Sequence, residues 1–201
     1  REKIMKNKKL FAAALTAALA VSMMGTSVMA YEGKTNFKYT PGTAGPTDPI
    51  TPGNEETDQN NWMVSYPRNI TLMDNNEAAT AAEASTKGQA LTFKVSQRQA
   101  GADQSDKVTA DNVGSGITVA AGGWTSGTDI TMEGTGNSTV LMNLADAASS
   151  KFLAVDDVMM TLNAKTDTDD GFAVIKNGQV AKAVEGETYT ATVNFTFTRG
   201  A

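Results

Sequence analysis

The chain has 201 residues, 17 of them basic and 22 acidic, and contains neither Cys nor His. That composition excludes a disulfide framework, a thiolate zinc site, a Cys nucleophile and every mechanism that needs an imidazole. With 6% aromatic and 19% charged residues and 18 Gly, it reads as a globular chain with a polar surface.

Residues 1–30 carry the pattern of a secretory signal peptide. Met5 is the expected start, and residues 1–4 lie ahead of it as a start-site artefact. Lys6, Lys8 and Lys9 form a basic opening, an apolar run of about fifteen residues follows from Leu10, and Val28-Met29-Ala30 is a small-x-small end suited to cleavage after Ala30. The run is shorter than the ~20 residues a membrane span needs. Removing residues 1–30, with five basic and one acidic group, leaves 12 basic and 21 acidic groups and a net charge of −9. Such acidity argues against nucleic acid and anionic membrane surfaces as partners. The expectation is a secreted protein with no membrane span after cleavage. No Cys follows the apolar run to take a lipid, and Phe197-Thr198-Arg199-Gly200-Ala201 holds no LPxTG sortase signal, so retention at a cell surface would be non-covalent.

Residues 31–40 contain Phe37 and Tyr39 alternating with Asn36, Lys38 and Thr40, which predicts a short half-buried strand. Residues 41–60 hold Pro41, Pro46, Pro49 and Pro52 and almost no apolar side chains, so they predict an extended, proline-stiffened linker. Residues 61–201 are long enough for one core. Their apolar residues repeat every second position: Trp62, Val64 and Tyr66; Leu91, Phe93 and Val95; Ile117 and Val119; Ile130 and Met132; Val140, Met142 and Leu144. The series continues through Val158, Met160 and Leu162, then Phe172 and Val174, and ends in Tyr189, Ala191, Val193, Phe195 and Phe197. About eight or nine short strands with Gly-rich turns predict an all-β fold, an antiparallel β-sandwich. Asn177-Gly178 reads as a type I′ hairpin turn. Residues 75–85 read as a surface helix or loop, and residues 144–153 as one short helix packed on an end of the sandwich.

No carboxylate stands inside an apolar strand, where burial would raise its pKa, so the chain reads as non-catalytic and without a cofactor. Asp167, Asp169 and Asp170 with Gly171 form a candidate calcium loop. It lacks the distal bidentate Glu of an EF-hand, so a solvated acidic hairpin loop is the favoured reading and no metal is expected.

The layout as a whole resembles the WxL-domain surface proteins of Gram-positive bacteria. The resemblance rests on a signal peptide, a strand-like segment ending Tyr39-Thr40-Pro41-Gly42, a Thr/Pro/Asp linker and a β domain ending in YTATVNFTFT. Tyr189, Val193, Phe195 and Phe197 fall on the spacing of that family's C-terminal motif, and Phe93 and Val95 on its first motif. Both motif tryptophans are Phe here, and both leucines are replaced. The resemblance implies non-covalent attachment to the cell wall, adhesion at the cell surface, and peptidoglycan or other surface proteins as partners, with these six positions at the contact. Strand alternation assigns Phe195 and Phe197 more simply to a core. A second expectation, of a different kind, is self-association. Residues 34–40 would act as a donor strand in a surface fibre, with Phe37 and Tyr39 as its plugs, in the manner of donor-strand fibre proteins. The same segment could equally pair within its own chain.

Overall fold

The computed structural model describes residues 30–42, 51–52, 56–58, 62–96, 116–163 and 168–199. It is all-β, as the two-residue periodicity predicts. In chain order the strands are β1 (Ala30–Tyr39), β2 (Thr51–Pro52), β3 (Glu56–Asp58), β4 (Trp62–Ser65), β5 (Pro67–Leu72), β6 (Glu77–Ala78) and β7 (Gln89–Ser96). They continue with β8 (Ile117–Gly122), β9 (Ile130–Gly134), β10 (Thr139–Ala145), β11 (Asp157–Leu162), β12 (Thr168–Lys176) and β13 (Tyr189–Arg199). One helix, α1 (Ala81–Lys87), lies between β6 and β7.

The strands form two layers. One runs β2-β5-β1-β13-β8-β11 and the other β9-β10-β12-β7-β4-β3, with β6 added beside β12. Two corners join the layers into one hydrogen-bonded network, a sandwich close to a barrel. At the first corner β13 pairs with β9 through Tyr189 and Thr190, then leaves it and pairs with β8 from Asn194 onward. At the second, the chain changes layers at Tyr66, between β4 and β5.

The core lies between the layers because alternate residues of each strand face inward. In β13, Tyr189, Val193, Phe195 and Phe197 are buried, while Thr190 and Thr192 are exposed. In β1, Gly33, Thr35, Phe37 and Tyr39 are buried and Glu32, Lys34, Asn36 and Lys38 exposed. Phe93 of β7 meets Phe195 of β13 edge-on across the layers, ring centroids 4.9 Å apart. Fully burying side chains of this size stabilises the fold by roughly 1.5–3 kcal/mol each.

Several local expectations are corrected. Among the described residues the pairing is antiparallel except for two contacts. β1 runs parallel to β5 over Asn36–Tyr39, and β12 runs parallel to β6. A parallel pair needs a long connection, and more than twenty residues separate β1 from β5. Residues 144–153 form no helix. β10 runs to Ala145, and Asp146 then accepts from the backbone N–H groups of Ser150 (2.7 Å) and Lys151 (3.1 Å) and from the Ser150 hydroxyl (2.5 Å). That side chain organises a turn with Ser149 at φ 51°, which returns Phe152 to bridge Ala145. Asn177-Gly178 is not a type I′ hairpin. Gly178 alone has positive φ (77°), and the chain passes through a 3₁₀ turn at Val180–Lys182 before β13. The tight hairpin lies elsewhere, between β9 and β10, where Asn137 takes φ 67° and Gly134 and Ser138 close the loop. Within 41–60, the described residues include two short pairings, β2 on β5 and β3 on β4. The helix in 75–85 starts later, at Ala81, and packs Ala81 and Ala84 against Ala78, Ala145 and Val174.

Candidate functional site

The six positions of the two motifs lie in the core. Phe93, Tyr189, Val193, Phe195 and Phe197 have no exposed surface, and Val95 has 2%. The structure brings the motifs together from opposite layers: Phe93 touches Phe195, and its ring lies 6.2 Å from that of Phe197. A ring without an exposed face cannot stack on a sugar. Their expected place at a wall or partner contact is therefore corrected to a structural knot between β7 and β13.

Phe37 and Tyr39 are buried as well, at 1% and 0% exposure, in the sheet of their own chain. β1 pairs with β13 along its whole length, Ala30 opposite Thr198 through to Tyr39 opposite Tyr189. Tyr39 stacks on Tyr189 at 5.9 Å and donates its hydroxyl to Asp74 Oδ1 at 2.7 Å. Asp74 Oδ2 also accepts from the backbone N–H of Gly42 at 3.1 Å, which pins the end of the strand.

The candidate calcium loop is a strand instead. Asp169 and Asp170 belong to β12, opposite Phe93 and Thr92 of β7. Successive strand residues point to opposite faces, so these two carboxylates do not converge. Asp167 lies outside the described residues. Among the described residues no group of three or more Asp or Glu is placed to hold a metal.

A different feature is open to solvent. Parallel pairing with β5 covers only Asn36–Tyr39 of β1, and at Pro67 the chain turns away toward β4. Beside the uncovered part of β1 lies a groove lined by Glu32, Lys34, Asn36, Tyr66, Arg68 and Asn69. The first three come from the outward face of β1 at every second position. The Thr35 hydroxyl, facing inward, donates to the carbonyl of Pro67 and holds the corner against β1. Tyr66 is only 6% exposed; its ring covers Gly33 and tilts onto Phe197 at 5.5 Å, so it floors the groove and offers no stacking platform. A row of polar contacts crosses the strands nearby. Thr192 Oγ1 donates to Asn36 Oδ1 at 3.0 Å, and Asn36 Nδ2 approaches Asn69 Oδ1 at 3.5 Å.

Among the described residues, neither Lys34 nor Arg68 makes an ion pair; the three pairs are Lys87–Glu83, Lys151–Asp157 and Lys176–Asp129. The groove therefore presents two cations, one carboxylate and amide groups to solvent. That set can hold carboxylate, hydroxyl and amide groups of a ligand by hydrogen bonds. It contains no nucleophile–base pair and no carboxylate buried enough to act as a general acid. Arg68 and Asn69 escape a reading of the sequence because β5 shows too few alternating positions after Pro67 to stand out. Compared with protein-family models, curated proteins and solved structures, the chain matches none.

Proposed function

We propose that this is a secreted, non-catalytic surface protein that binds non-covalently to the cell wall or to a surface partner. The observation that carries the reading is the groove at the β4–β5 corner, where Lys34 and Arg68, which make no ion pair among the described residues, stand beside Asn36 and Asn69. The aromatic motif positions are buried, so the contact falls to this polar surface. Two observations support a binding role over turnover: the chain has no His or Cys, and the groove's carboxylate, Glu32, is exposed. The layout shared with WxL-domain proteins supports peptidoglycan, rich in carboxylates, hydroxyls and amides, as the surface recognised.

The test is sedimentation of the mature protein with purified sacculi at physiological salt. The wild-type protein is expected to co-sediment. Replacing Lys34 and Arg68 together by Glu is expected to weaken binding about tenfold or more, the equivalent of roughly 1.4 kcal/mol, with unchanged thermal unfolding. Wild-type protein left wholly in the supernatant would remove the wall as partner. Equal binding by the double variant would remove the groove as the contact.

A further inference from the structure

We infer that the slot filled by β1 also accepts β1 from a second copy of this chain, so that copies join by exchanging their first strand. This rests on the placement of β1 and not on the groove's ligand. β1 is the earliest described element, yet over Asn36–Tyr39 it lies inside the sheet and not at its edge. It lies between β13, antiparallel over ten residues, and β5, parallel over four. Its inward residues Thr35, Phe37 and Tyr39 continue the buried inner face of the layer between Ile70 and Leu72 on β5 and Val193 and Phe195 on β13, all at 1% exposure or less. Without a strand in the slot these side chains and two rows of backbone groups would face water. Some copy of β1 must therefore occupy it, and the slot reads only the strand's side chains and register.

Three features make the donor exchangeable. Cleavage after Ala30, as the leader predicts, leaves β1 at the chain's end, and an end can enter a slot without threading a loop. Next, the covalent connection is longer than its own chain requires. Thr51 pairs with Asn69, which in turn pairs with Asn36, so β2 lies two strand spacings, about 10 Å, from β1. Beyond the pinned Gly42, the eight residues 43–50 can reach about 25 Å at ~3.1 Å each. Lastly, the strand carries its own lock, since the Tyr39–Asp74 and Tyr39–Tyr189 contacts form equally well when the tyrosine comes from another molecule. Self-insertion has an effective concentration of the order of millimolar, so exchange belongs to crowded surfaces and concentrated solutions. A donor passed from each copy to the next is a heterologous contact and propagates as an open chain.

The absence of Cys allows a direct test. Asn36 and Thr192 face each other across β1 and β13, are both exposed and hydrogen-bond at 3.0 Å. Facing strand positions have the Cα separation a disulfide needs. The mature Asn36→Cys and Thr192→Cys chains, one with a mass tag, are refolded together at high concentration, oxidised, and run without reductant. A second sample is refolded separately and mixed before oxidation. The double variant, refolded dilute, reports whether the register forms within one chain. Exchange predicts a mixed 36–192 cross-linked dimer in the co-refolded sample and its loss in the sample mixed afterwards. An internal disulfide in the double variant with no mixed dimer in the co-refolded sample overturns the inference. Failure of the double variant to oxidise overturns it too, because the register it relies on would be absent.

Discussion

Gly33 and Tyr66 show how single residues set this fold. A Cβ on Gly33 would lie 2.5 Å from the Tyr66 ring, so the ring needs the hydrogen in its place. Gly33→Ala is expected to destabilise by about 1–3 kcal/mol through overpacking. The penalty should shrink when Tyr66→Ala is also present, a coupling that denaturant titration of the four-member cycle measures. Tyr39 gives a pH prediction. Burial of its ring, and next its hydrogen bond to Asp74, hold its phenol well above the usual range. The folded protein therefore keeps this proton at pH values where the unfolded chain, titrating near pH 10, releases it. The resulting stability is complete below about pH 10 and is lost as pH rises beyond it. Tyr39→Phe is expected to cost about 1 kcal/mol at neutral pH and to flatten the alkaline fall, as read from thermal unfolding between pH 8 and 11. The exposed partners Asn36 and Thr192 were legible only as outward positions of two strands, since nothing local to either pairs residues so far apart in sequence.

At the level of elements, the long strands were legible and the short ones were not. β13 shows ten residues of unbroken alternation, Tyr189 to Thr198, and β7, β8 and β10 show enough to be recognised. β2, β3 and β6 have two or three residues each, too few for any period to register. They exist because longer strands offer them an edge. The outer strand β11 carries a register shift between Val158 and Met160, and β2 contains Pro52; both features discourage further pairing at exposed edges. β1 is the element on which the sheet depends most. Deleting residues 31–39 is expected to abolish cooperative unfolding and the near-ultraviolet circular dichroism of the buried tyrosines. Adding a peptide of residues 30–40 should restore both. Cooperative unfolding by the truncated chain alone would show that β1 is dispensable.

At the scale of the whole molecule, the first and last described strands, β1 and β13, lie side by side. Ala30 is opposite Thr198, and no local contact can form that pair. Loops of this length must close before the core is complete, so folding is expected in milliseconds to seconds and not microseconds. Stopped-flow refolding followed by tryptophan fluorescence would show it, and a microsecond phase carrying the full amplitude would contradict it.

Much of this protein could be read without coordinates: an all-β body, its long strands, and the inward faces of β7 and β13. These follow from hydrophobic alternation, which is a local property of the chain and survives in any sheet the strands join. The relations between strands could not be read that way. Alternation places Phe93 and Phe195 inward but does not say that they meet. It marks residues 34–40 as a strand but not whether β5, β13 or another molecule receives it. The groove has the same origin, since it exists only where β5 parts from β1 at Pro67. Pairing is chosen by the sum of many weak contacts between distant segments, and that sum is defined only once the layers have closed on each other.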